Sequence, residues 1–548
     1  MSLLSLRGIT RSFGGRRILD GLDLELPDGA RIGMVGPNGS GKTTLLRIAA
    51  GEDEPDAGTL TRRRGLRLAL LPQHPMGDAR TPLEAVRDAR ADLAEIDAGL
   101  ATVTAELSDP SVYGNDGRMA AALARQGRLL DDYERAGGPA FEGRARSLLL
   151  GVGLEERELD LPTQVLSGGQ RKLIGLVGCL VRDPDLLLLD EPEAHLDLAG
   201  RQLLERLVRG FAGAVLAVSH DRYLLDETVT QIASLDRGTV RMWPGNYSAY
   251  AVAREIELKR QQVQYVTQRK EIERLEEAER RLIQWARAVP ASASNSRLVN
   301  QARNIARQID RMDKVERPVL ERRRIGLELH PHQRGGRKAV ELRGVSVAFD
   351  GHPVLRDIEL TVMHGERLGI VGENGAGKSV LVKTLVEAIA PTEGEVWTGP
   401  SIHVGYLAQD QDTLDPRSTP LGTLRAAYPG TEEQAVSRLM AFLFDYEQVR
   451  RPIATLSGGE RTRLQLLLLM LSGANLLVLD EPTNHLDIES VEALESALEA
   501  FAGTVVFISH DRYFLDRMAD RIVEVRDAEA LAHVGGYSAW RERARIPA

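Results

Sequence analysis

The chain contains Gly36-Pro-Asn-Gly-Ser-Gly-Lys-Thr43 and, 336 residues later, Gly372-Glu-Asn-Gly-Ala-Gly-Lys-Ser379. Each copy follows a short apolar run, at Arg31-Ile-Gly-Met-Val35 and Arg367-Leu-Gly-Ile-Val371, and precedes a segment with helical character. A strand, a glycine-rich turn of this spacing and a helix together form the loop that wraps a nucleotide phosphate. A purely structural glycine turn is the alternative, but the same context occurs twice. We therefore predict two phosphate-binding loops.

The residue types in these loops match the chemistry of a bound triphosphate. Glycine lets backbone N–H groups turn inward around the β-phosphate, the following helix adds a positive dipole, and the lysine pairs with the β- and γ-phosphates. The hydroxyl after the lysine is a ligand for Mg²⁺. The predicted nucleotide contacts are Gly36, Asn38, Gly39, Gly41, Lys42, Thr43 and Thr44 in the first copy, and Gly372, Asn374, Gly375, Gly377, Lys378 and Ser379 in the second.

The rest of the sequence repeats in the same order. Gln73 and Gln409 keep the offset of 336, whereas three later motifs are offset by 290. These motifs are Leu166-Ser-Gly-Gly-Gln170 with Leu456-Ser-Gly-Gly-Glu460, Asp190-Glu-Pro192 with Asp480-Glu-Pro482, and Ser219-His-Asp221 with Ser509-His-Asp511. The two offsets differ by 46 residues, which indicates an insertion in the first copy. Alanine-rich segments on either side of a turn-rich run predict that this insertion is a helical hairpin over about 88–140.

Carboxylates follow a predicted buried strand in each copy. Asp190 and Asp480 end aliphatic runs that are typical of strands buried on both faces, so their carboxylates emerge beside the phosphate-binding loop. We assign these aspartates to the Mg²⁺ shell. The next residues, Glu191 and Glu481, point the opposite way and are placed to accept a proton from an attacking water or to orient it.

A histidine follows a further apolar run in each copy, at His220 and His510. From the end of a neighbouring strand its imidazole would reach the γ-phosphate. A lone histidine is more often structural, but this one recurs within Ser-His-Asp-Arg-Tyr at the same distance from Asp-Glu-Pro. The repetition favours a catalytic role.

A basic zone separates the two copies. Residues 246–335 contain 19 Lys or Arg and 12 Asp or Glu, although the whole chain has a net charge of −9. Apolar residues at spacings of three and four over 258–282 and 298–312 predict two amphipathic helices that pair along a narrow seam. Pro290-Ala-Ser-Ala-Ser-Asn-Ser296 supplies the turn between them. Such a charge run is either a solvated helix face or a contact for nucleic acid.

The order of these motifs resembles that of the paired nucleotide-binding domains of the ATP-binding-cassette superfamily, and the resemblance covers both halves. It is more specific to the ABC-F subfamily, because two cassettes, an insertion in the first, a charged helical linker and Asp480-Glu-Pro-Thr-Asn-His-Leu-Asp487 occur on one chain. The resemblance implies an α/β fold with two tandem P-loop ABC-type nucleotide-binding domains joined by a two-helix linker, with a helical hairpin inserted in the first. The expected domains are residues 1–245 with an arm at about 88–140, the linker at 246–335, and residues 336–548.

Known members of this subfamily are ATPases that bind the ribosomal exit site and push the linker toward the peptidyl-tRNA and the peptidyl-transferase centre. They act in translation regulation or in ribosome protection against antibiotics. The resemblance therefore implies ATP and Mg²⁺ as cofactors, ATP hydrolysis as the reaction, and the ribosome, with its rRNA and tRNA, as the partner of the linker and the arm. The arm has 10 acidic and 5 basic residues over 88–140, so a ribosomal protein is an alternative contact for it. The linker arginines that suit an RNA backbone are Arg280, Arg281, Arg287, Arg297, Arg303, Arg307 and Arg311.

The resemblance also implies two composite ATP sites, because the cassettes of this superfamily pair head to tail. The first site combines Lys42, Thr43, Gln73, Asp190, Glu191 and His220 with Ser457, Gly458 and Gly459. The second combines Lys378, Ser379, Gln409, Asp480, Glu481 and His510 with Ser167, Gly168 and Gly169. The Mg²⁺ ligands would be Thr43, Gln73 and Asp190 in one site and Ser379, Gln409 and Asp480 in the other. Phe13 and Phe349 match the aromatic that stacks on adenine, or are core residues, and Asp197 and Asp487 match the loop that crosses the interface.

The first copy departs from the family pattern. It has Glu193 and Ala194 where the second copy has Thr483 and Asn484, so we expect the two sites to hydrolyse ATP unequally.

Composition excludes several other classes. The single cysteine, Cys179, excludes intrachain disulfides and iron–sulfur recycling factors. No apolar run reaches about 18 residues, and the stretch Met1-Ser-Leu-Leu-Ser-Leu-Arg7 lacks the basic-then-apolar pattern of a signal peptide, which predicts a cytoplasmic protein. We expect a monomer. A transporter ATPase with a separate membrane partner and an ATPase of the DNA-repair type remain as alternatives.

Overall fold

The computed structural model describes residues 2–75, 77–109, 112, 115–288, 293–312, 337–408, 414–428, 430–442, 444–484 and 486–544. Within these residues the chain forms two similar α/β units, each with a six-stranded sheet and a three-stranded antiparallel sheet. The strands of the first unit are β1 (Ser2–Phe13), β2 (Arg16–Pro27), β3 (Arg31–Val35), β4 (Ala57–Arg62), β5 (Leu68–Leu71), β6 (Leu186–Asp190), β7 (Ala214–Val218), β8 (Gln231–Asp236) and β9 (Thr239–Pro244). Those of the second are β10 (Lys338–Phe349), β11 (His352–Met363), β12 (Arg367–Val371), β13 (Glu393–Thr398), β14 (Val404–Leu407), β15 (Leu476–Asp480), β16 (Thr504–Ile508), β17 (Arg521–Arg526) and β18 (Glu529–Val534).

The topology of the large sheets brings the chemical motifs to one edge. Their strand orders are β5-β6-β7-β3-β8-β9 and β14-β15-β16-β12-β17-β18, and all neighbours are parallel except the last pair in each. The carboxyl ends of parallel strands meet at the same edge of a sheet. The glycine-rich loop, the Asp-Glu pair and the histidine therefore follow three adjacent strands, β3, β6 and β7, in the first unit and β12, β15 and β16 in the second.

The aliphatic runs form strands because both of their faces are covered. In β6, Leu187 and Leu189 join one hydrophobic cluster, whereas Leu186 and Leu188 join another that includes the small antiparallel sheet β2-β1-β4. Strand β15 divides its side chains in the same way. Continuous apolar sequence is typical of such strands. The predicted fold class is confirmed.

Helices lie on both faces of each large sheet. Lys42–Ala50 and Lys378–Leu385 pack on the face that carries the antiparallel sheet, whereas Gly168–Leu180 and Gly458–Leu471 pack on the opposite face. The helices of the first unit are Lys42–Ala50, Pro82–Asp88, Ala91–Leu107, Asp116–Arg135, Gly138–Gly151, Gly168–Leu180, Leu198–Gly210 and Arg222–Thr228, with short 3-10 helices at Glu156–Asp160 and Thr163–Val165. In the second they are Lys378–Leu385, Pro420–Ala427, Glu432–Ala441, Gly458–Leu471, Ile488–Ala500, Arg512–Met518 and Tyr537–Ala544, with 3-10 helices at Gln448–Arg450 and Ile453–Thr455.

The inserted arm is a helical hairpin, as predicted, but its first helix starts later than the sequence suggests. Helix Pro82–Asp88 ends before the arm begins, and helix Ala91–Leu107 then pairs with Asp116–Arg135. The break lies at Arg90, whose φ of −99° and ψ of 88° are not helical. Asn115 caps the second arm helix by accepting hydrogen bonds from the backbone N–H groups of Gly117 and Arg118.

The linker contains two long helices, Tyr247–Ala288 and Ala293–Arg311, which pack against each other. Ala286 and Ala302 are the buried small residues of the seam, and the predicted apolar positions such as Leu282 and Ile305 are half-buried. The seam is narrow because most of each helix faces solvent. Residues 289–292 of the turn and 313–336, which include Arg322-Arg-Arg324, lie outside the described residues. In the described part of the chain, no helix combines the length and apolar character that crossing a membrane requires.

Each unit contributes an aliphatic residue to the core of the other. Leu198 of the first unit belongs to the main cluster of the second, and Ile488, which lies 290 residues later, packs with Val35, Leu225 and Tyr250 of the first. Burial of one such side chain stabilises the packed arrangement by about 1.5–3 kcal/mol. The repeated sequence is therefore matched by a reciprocal interface.

Candidate nucleotide sites between the two units

Both glycine-rich loops adopt the tight turn that the sequence predicts. Gly36 has φ 156° and its added Cβ would collide with the carbonyl oxygen of Leu235, so only glycine fits there. Lys42 begins the following helix, and its Nζ donates to the carbonyl oxygens of Gly36 and Pro37 at 2.8 and 3.0 Å. Lys378 makes the same contacts, at 2.9 and 2.7 Å, in the second loop. Both ammonium groups are thus held over the backbone that would surround a phosphate.

The residues assigned to Mg²⁺ lie together in each unit. The side chain of Asp190 is hydrogen-bonded to Thr43, and that of Asp480 to Ser379. Burial raises the pKa of both aspartates, and one carboxylate oxygen of each, Oδ1, is buried with no hydrogen-bond partner in the described residues. A hydroxyl and an unsatisfied carboxylate oxygen are the ligands that Mg²⁺ prefers, so these residues fit the ion.

The two glutamates have a strained backbone. Glu191 and Glu481 have φ of 44° and 50°, a left-handed backbone conformation that residues other than glycine rarely adopt. Their backbone N–H groups donate to the carbonyl oxygens of Val218 and Ile508 on the neighbouring strand, at 2.9 and 3.1 Å. This pairing fixes each glutamate directly after the buried strand that ends in the aspartate.

The glutamate side chains contact the other predicted site residues. Gln73 Nε2 donates to Glu191 Oε2 at 2.8 Å, and His220 Nε2 lies 3.7 Å from Glu191 Oε1. In the second unit His510 Nε2 lies 3.6 Å from Glu481 Oε1. Gln409 lies outside the described residues. Each glutamate thus lies between a strand end and an imidazole, where a water could be held.

Burial favours the neutral form of both histidines. Burial lowers the pKa of His220 to about 4, aided by the positive charge of Lys42, and burial lowers the pKa of His510 well below its ordinary value. Neither ring nitrogen of either residue has a hydrogen-bond partner in the described residues. A neutral imidazole can donate one hydrogen bond and accept another, which suits contact with a phosphate oxygen or a water.

The Ser-Gly-Gly motifs begin helices at the interface between the units. Ser167 and Ser457 are N-caps whose hydroxyls accept from the backbone N–H groups of Gln170 and Glu460. Gly169 has no room for a side chain, because a Cβ would lie 2.8 Å from the carbonyl oxygen of His195. The free N–H groups at such a helix start attract anions.

One cavity brings the motifs of the two halves together. It has a volume of about 1200 Å³. Its lining includes Phe13, Asn38, Gly39, Gly41, Lys42, Thr43, Thr44, Gln73, Glu191 and His220 of the first unit with Ser457, Gly458 and Gly459 of the second, and also Ser167, Gly168, Gly169, Asn374, Glu481 and His510. The cavity thus brings the first glycine-rich loop together with the Ser-Gly-Gly motif of the other unit, as the resemblance implies for the first site.

Two aspartates cross the interface and hold the opposite glycine-rich loop. Asp487 Oδ2 accepts from the backbone N–H of Asn38 at 2.9 Å, while its Oδ1 caps the helix that begins at Ile488. Asp197 Oδ2 accepts from the backbone N–H of Asn374 at 3.3 Å. These are the loop positions that the sequence predicted, and each ties the interface to a phosphate-binding loop.

The two aromatics end their strands at equivalent places. Phe13 ends β1, is 46% exposed and lines the cavity, whereas Phe349 ends β10 and is 48% exposed. The alternative interpretation required both to be buried core residues, and neither is. Their contact with adenine stays a prediction.

The departure at Glu193 has a structural consequence. Glu193 is buried, and its Oε1 accepts from Ser219 Oγ and from the backbone N–H groups of His220 and Asp221, at 2.8, 2.7 and 3.2 Å. In the second unit Thr483 contacts Ser509 through hydroxyls 3.3 Å apart. The loop that carries the histidine is therefore held by a carboxylate in one unit and by a hydroxyl in the other.

Glu193→Gln is expected to stabilise the protein at high pH. Burial, together with the charges of Asp221 and Glu191, raises the pKa of Glu193 to about 7, from 4.5. The folded protein then binds this proton more tightly than the unfolded chain, so stability falls as pH rises from about 4.5 to about 7. Glutamine keeps the Oε1 acceptor and removes the charge, so the variant should gain about 3 kcal/mol more at pH 8 than at pH 4.5, where the charge contributes less than about 0.5 kcal/mol. Thermal unfolding at both pH values measures this, with the exposed Glu54→Gln as control; an equal shift at both would contradict it.

Several residues of this region were not predicted from the sequence. Arg222 and Arg512 stand in the repeated Ser-His-Asp-Arg-Tyr, but their acidic partners, Glu205 and Glu495, belong to no motif. Lys172 is buried, and its Nζ donates to the carbonyl oxygens of Pro72, Gln73 and Asp190. The sequence offers one signal for the arginines and glutamates. The offset of 290 residues relates Arg222 to Arg512, and Glu205 to Glu495.

Known proteins resemble this chain over nearly its whole length. The chain is 33% identical to the energy-dependent translational throttle protein EttA of Mycobacterium tuberculosis, over 98% of this chain and 95% of that protein. It is 31% identical to ABC transporter F family member 5 of Arabidopsis thaliana, over 98% of this chain and 77% of that protein. The solved structure of an archaeal ribosome recycling factor, aABCE1, in complex with ribosomal stalk protein aP1 has the same fold, with TM-score 0.60 and 19% identity over 98% of this chain and 92% of that one.

Fold and site define an ATP-binding-cassette ATPase with two cassettes on one chain. The family model described as ABC transporter matches residues 19–194 and 355–484, and a second model of the same description matches 233–327, across most of the linker. Together with the relatives above, these matches show that the chain belongs to a narrower group, the ABC-F subfamily. The unit that contains Lys42 is called the first cassette below, and the unit that contains Lys378 the second.

Proposed function

We propose that this protein binds two ATP molecules with Mg²⁺ between its cassettes and hydrolyses them. Lys42 and Lys378 would pair with the phosphates, and the Thr43–Asp190 and Ser379–Asp480 pairs, with Gln73 and Gln409, would hold the ion. Bound Mg²⁺ would neutralise charge that develops on the phosphate oxygens. The cavity shared by the first loop and Ser457–Gly459 is the observation that supports this proposal most strongly.

Glu191 and Glu481 would act on the attacking water in the two sites. Each carboxylate can accept a proton or hold the water in line, and each lies beside the imidazole of His220 or His510. The neutral imidazole would then contact the γ-phosphate. Because Glu193 holds the first histidine loop and Thr483 the second, we propose that the two sites hydrolyse ATP at different rates.

We further propose that the ribosome is the partner and that the linker contacts its RNA or a bound tRNA. The relative EttA is named a translational throttle protein, and this chain aligns with it over nearly its whole length. The seven predicted linker arginines are all exposed on the two helices. RNA helices are recognised mainly through their shape and phosphates, which exposed arginines can contact without a specific sequence. Binding at the exit site, and action on translation or on antibiotic sensitivity, belong to this proposal, as do a cytoplasmic location and a monomeric state.

The base of the linker is bonded to both cassettes. A movement of the cassettes when ATP binds can therefore be transmitted to the linker. Tyr247 begins the first linker helix and donates to Glu492 Oε1 of the second cassette at 3.0 Å, and Arg254 pairs with Glu489. Glu489 and Glu492 lie on the helix that Asp487 caps while it holds the first phosphate-binding loop. We propose that closure around ATP moves the linker through this helix.

Charge reversal on the linker tests the ribosomal partner. The variant Arg287→Glu, Arg297→Glu, Arg303→Glu is expected to lose at least about tenfold in ribosome affinity at physiological salt, because phosphate contacts dominate such binding. Co-sedimentation with ribosomes measures this in the ATP-bound Glu191→Gln, Glu481→Gln background. The matched control reverses three exposed cassette arginines, Arg64, Arg157 and Arg526, and should retain affinity.

The same measurement separates the alternatives. Unchanged sedimentation with ribosomes after linker charge reversal would contradict the proposed contact. Sedimentation with membranes instead of ribosomes would favour a transporter subunit. Binding to duplex DNA that survives competition from ribosomes would favour the repair-type ATPase.

A further inference from the structure

We infer that Arg222 and Arg512 are positioning residues, each of which fixes the histidine loop of the opposite cassette. Arg512 of the second cassette would position His220, and Arg222 of the first would position His510. The inference rests on the proposed ATP hydrolysis and adds to it a physical connection between the two sites.

Arg512 reaches across the interface to two acids of the first cassette. Its Nη2 lies 3.3 and 3.2 Å from the two carboxylate oxygens of Asp221, and it also pairs with Glu205. The guanidinium carbon lies 4.7 Å from the ring centre of Tyr223. The arginine is only 1% exposed, and the carboxylates that its Nη2 contacts both belong to the other cassette, whereas its Nε and Nη1 have no hydrogen-bond partner in the described residues.

Arg222 repeats these contacts in the opposite direction. Its Nη1 lies 3.3 Å from Glu495 Oε2, its Nη2 lies 3.4 Å from Asp511 Oδ2, and its guanidinium carbon lies 4.9 Å from the ring centre of Tyr513. Each partner is the residue 290 positions after its counterpart in the first cassette. Two independent halves of the chain thus place the same arrangement around a local two-fold relation.

The aspartates in these contacts are next to the proposed catalytic histidines. Asp221 follows His220 and caps the helix Arg222–Thr228, because its Oδ1 accepts from the backbone N–H groups of Tyr223 and Leu224 at 2.9 and 3.1 Å. A carboxylate that is fixed by the opposite arginine therefore fixes the start of the helix and the loop before it. Asp511 has the same place after His510, where it caps the helix Arg512–Met518.

Stability alone is a weak explanation for these arginines. Burying an ion pair costs desolvation that often cancels its attraction, and a packed apolar pair of similar volume can be as stable. A bidentate or branched arginine contact, in contrast, fixes geometry. The arrangement therefore suits a positional role at the edge of the two sites.

The two cassettes differ in how strongly they depend on this contact. Asp221 has a second cation, Arg201 of its own cassette, at 3.1 Å, and Glu193 also holds the loop. Val491 stands at the position that corresponds to Arg201, and Thr483 at that of Glu193. The second histidine loop therefore depends more on its arginine, so the loss of Arg222 should have the larger effect.

Lysine substitutions in singly blocked proteins test the inference. Glu481→Gln leaves the first site able to hydrolyse ATP, and Glu191→Gln leaves the second. Arg512→Lys should lower the single-turnover rate constant at the first site about tenfold, with the ATP concentration for half-maximal rate changed less than about twofold, and should spare the second. Arg222→Lys should do the reverse, with a larger loss. Arg209→Met, which removes an exposed arginine that pairs with Glu227 within one cassette, should change neither site.

A second readout does not need turnover. In the ATP-bound Glu191→Gln, Glu481→Gln protein, the ring nitrogen resonances of His220 should shift with Arg512→Lys, and those of His510 with Arg222→Lys. A variant that slows only the site of its own cassette, slows both equally, or shifts neither histidine would overturn the inference. If the wild-type protein does not hydrolyse ATP, the proposed function fails, and the resonances still test the inference.

Discussion

Replacing Glu191 and Glu481 together by glutamine is expected to reduce ATP hydrolysis by at least about 100-fold and to leave ATP binding intact. Both glutamates follow a buried strand, have a left-handed backbone and lie less than 4 Å from a neutral histidine. Glutamine keeps the size and one hydrogen-bond acceptor, but it cannot accept a proton from water. Phosphate release and nucleotide binding, measured on the same preparation, report the two properties separately.

The matched control replaces a glutamate outside the cavity. Glu227→Gln changes an exposed residue that pairs with Arg209, so hydrolysis should stay within about twofold of the wild type. Retention of more than a tenth of the wild-type rate in the double variant would show that these carboxylates do not act on the water. Loss of ATP binding in the same variant would contradict the proposal that these glutamates act on the water and do not bind the phosphates.

Gly169→Ala is expected to slow hydrolysis about tenfold or more at the second site, which is built on the other half of the chain. A Cβ at this position would lie 2.8 Å from the carbonyl oxygen of His195, so the helix that begins at Ser167 must move. In the proposed composite arrangement this helix start would face the ATP held by Lys378. Single-turnover hydrolysis in the Glu191→Gln and Glu481→Gln backgrounds distinguishes the two sites.

The control for this effect is another glycine in a helix of the same cassette. Gly127 lies on the arm, and a Cβ added there would have no heavy atom within 4 Å. Gly127→Ala should therefore leave both rates unchanged. A Gly169→Ala protein that loses hydrolysis at the first site and retains it at the second would contradict the exchange of motifs between the cassettes.

The sequence predicted most of the fold because its repeated motifs mark strand ends. Aliphatic runs before Asp190 and Asp480 predict buried parallel strands, and the glycine-rich loops predict the strand and helix on either side of them. The insertion that forms the arm was predicted from the difference between the repeat offsets of 336 and 290 residues. The short break between helices Pro82–Asp88 and Ala91–Leu107 was not predicted, because no proline or glycine stands near Arg90 to mark it.

The candidate sites were predicted only as far as motifs extend. Lys42, Asp190, Glu191 and His220 meet in the structure because the strand order places their strands side by side. The contacts of Arg512 with Glu205 and Asp221 depend on how the cassettes face each other, and a single sequence does not encode this pairing in any local pattern. The same holds for Glu193, whose hydrogen bonds join residues 26 to 28 positions apart.

In the proposed mechanism, ATP bridges the two cassettes of one chain. The most direct test is a structure of the Glu191→Gln, Glu481→Gln protein with ATP and Mg²⁺ in both sites. We expect Ser457 Oγ within about 3 Å of a γ-phosphate oxygen of the ATP held by Lys42, and Ser167 Oγ equally close to the ATP held by Lys378. Both sites filled with ATP and both serines more than about 10 Å from either γ-phosphate, beyond any hydrogen bond, would contradict the account.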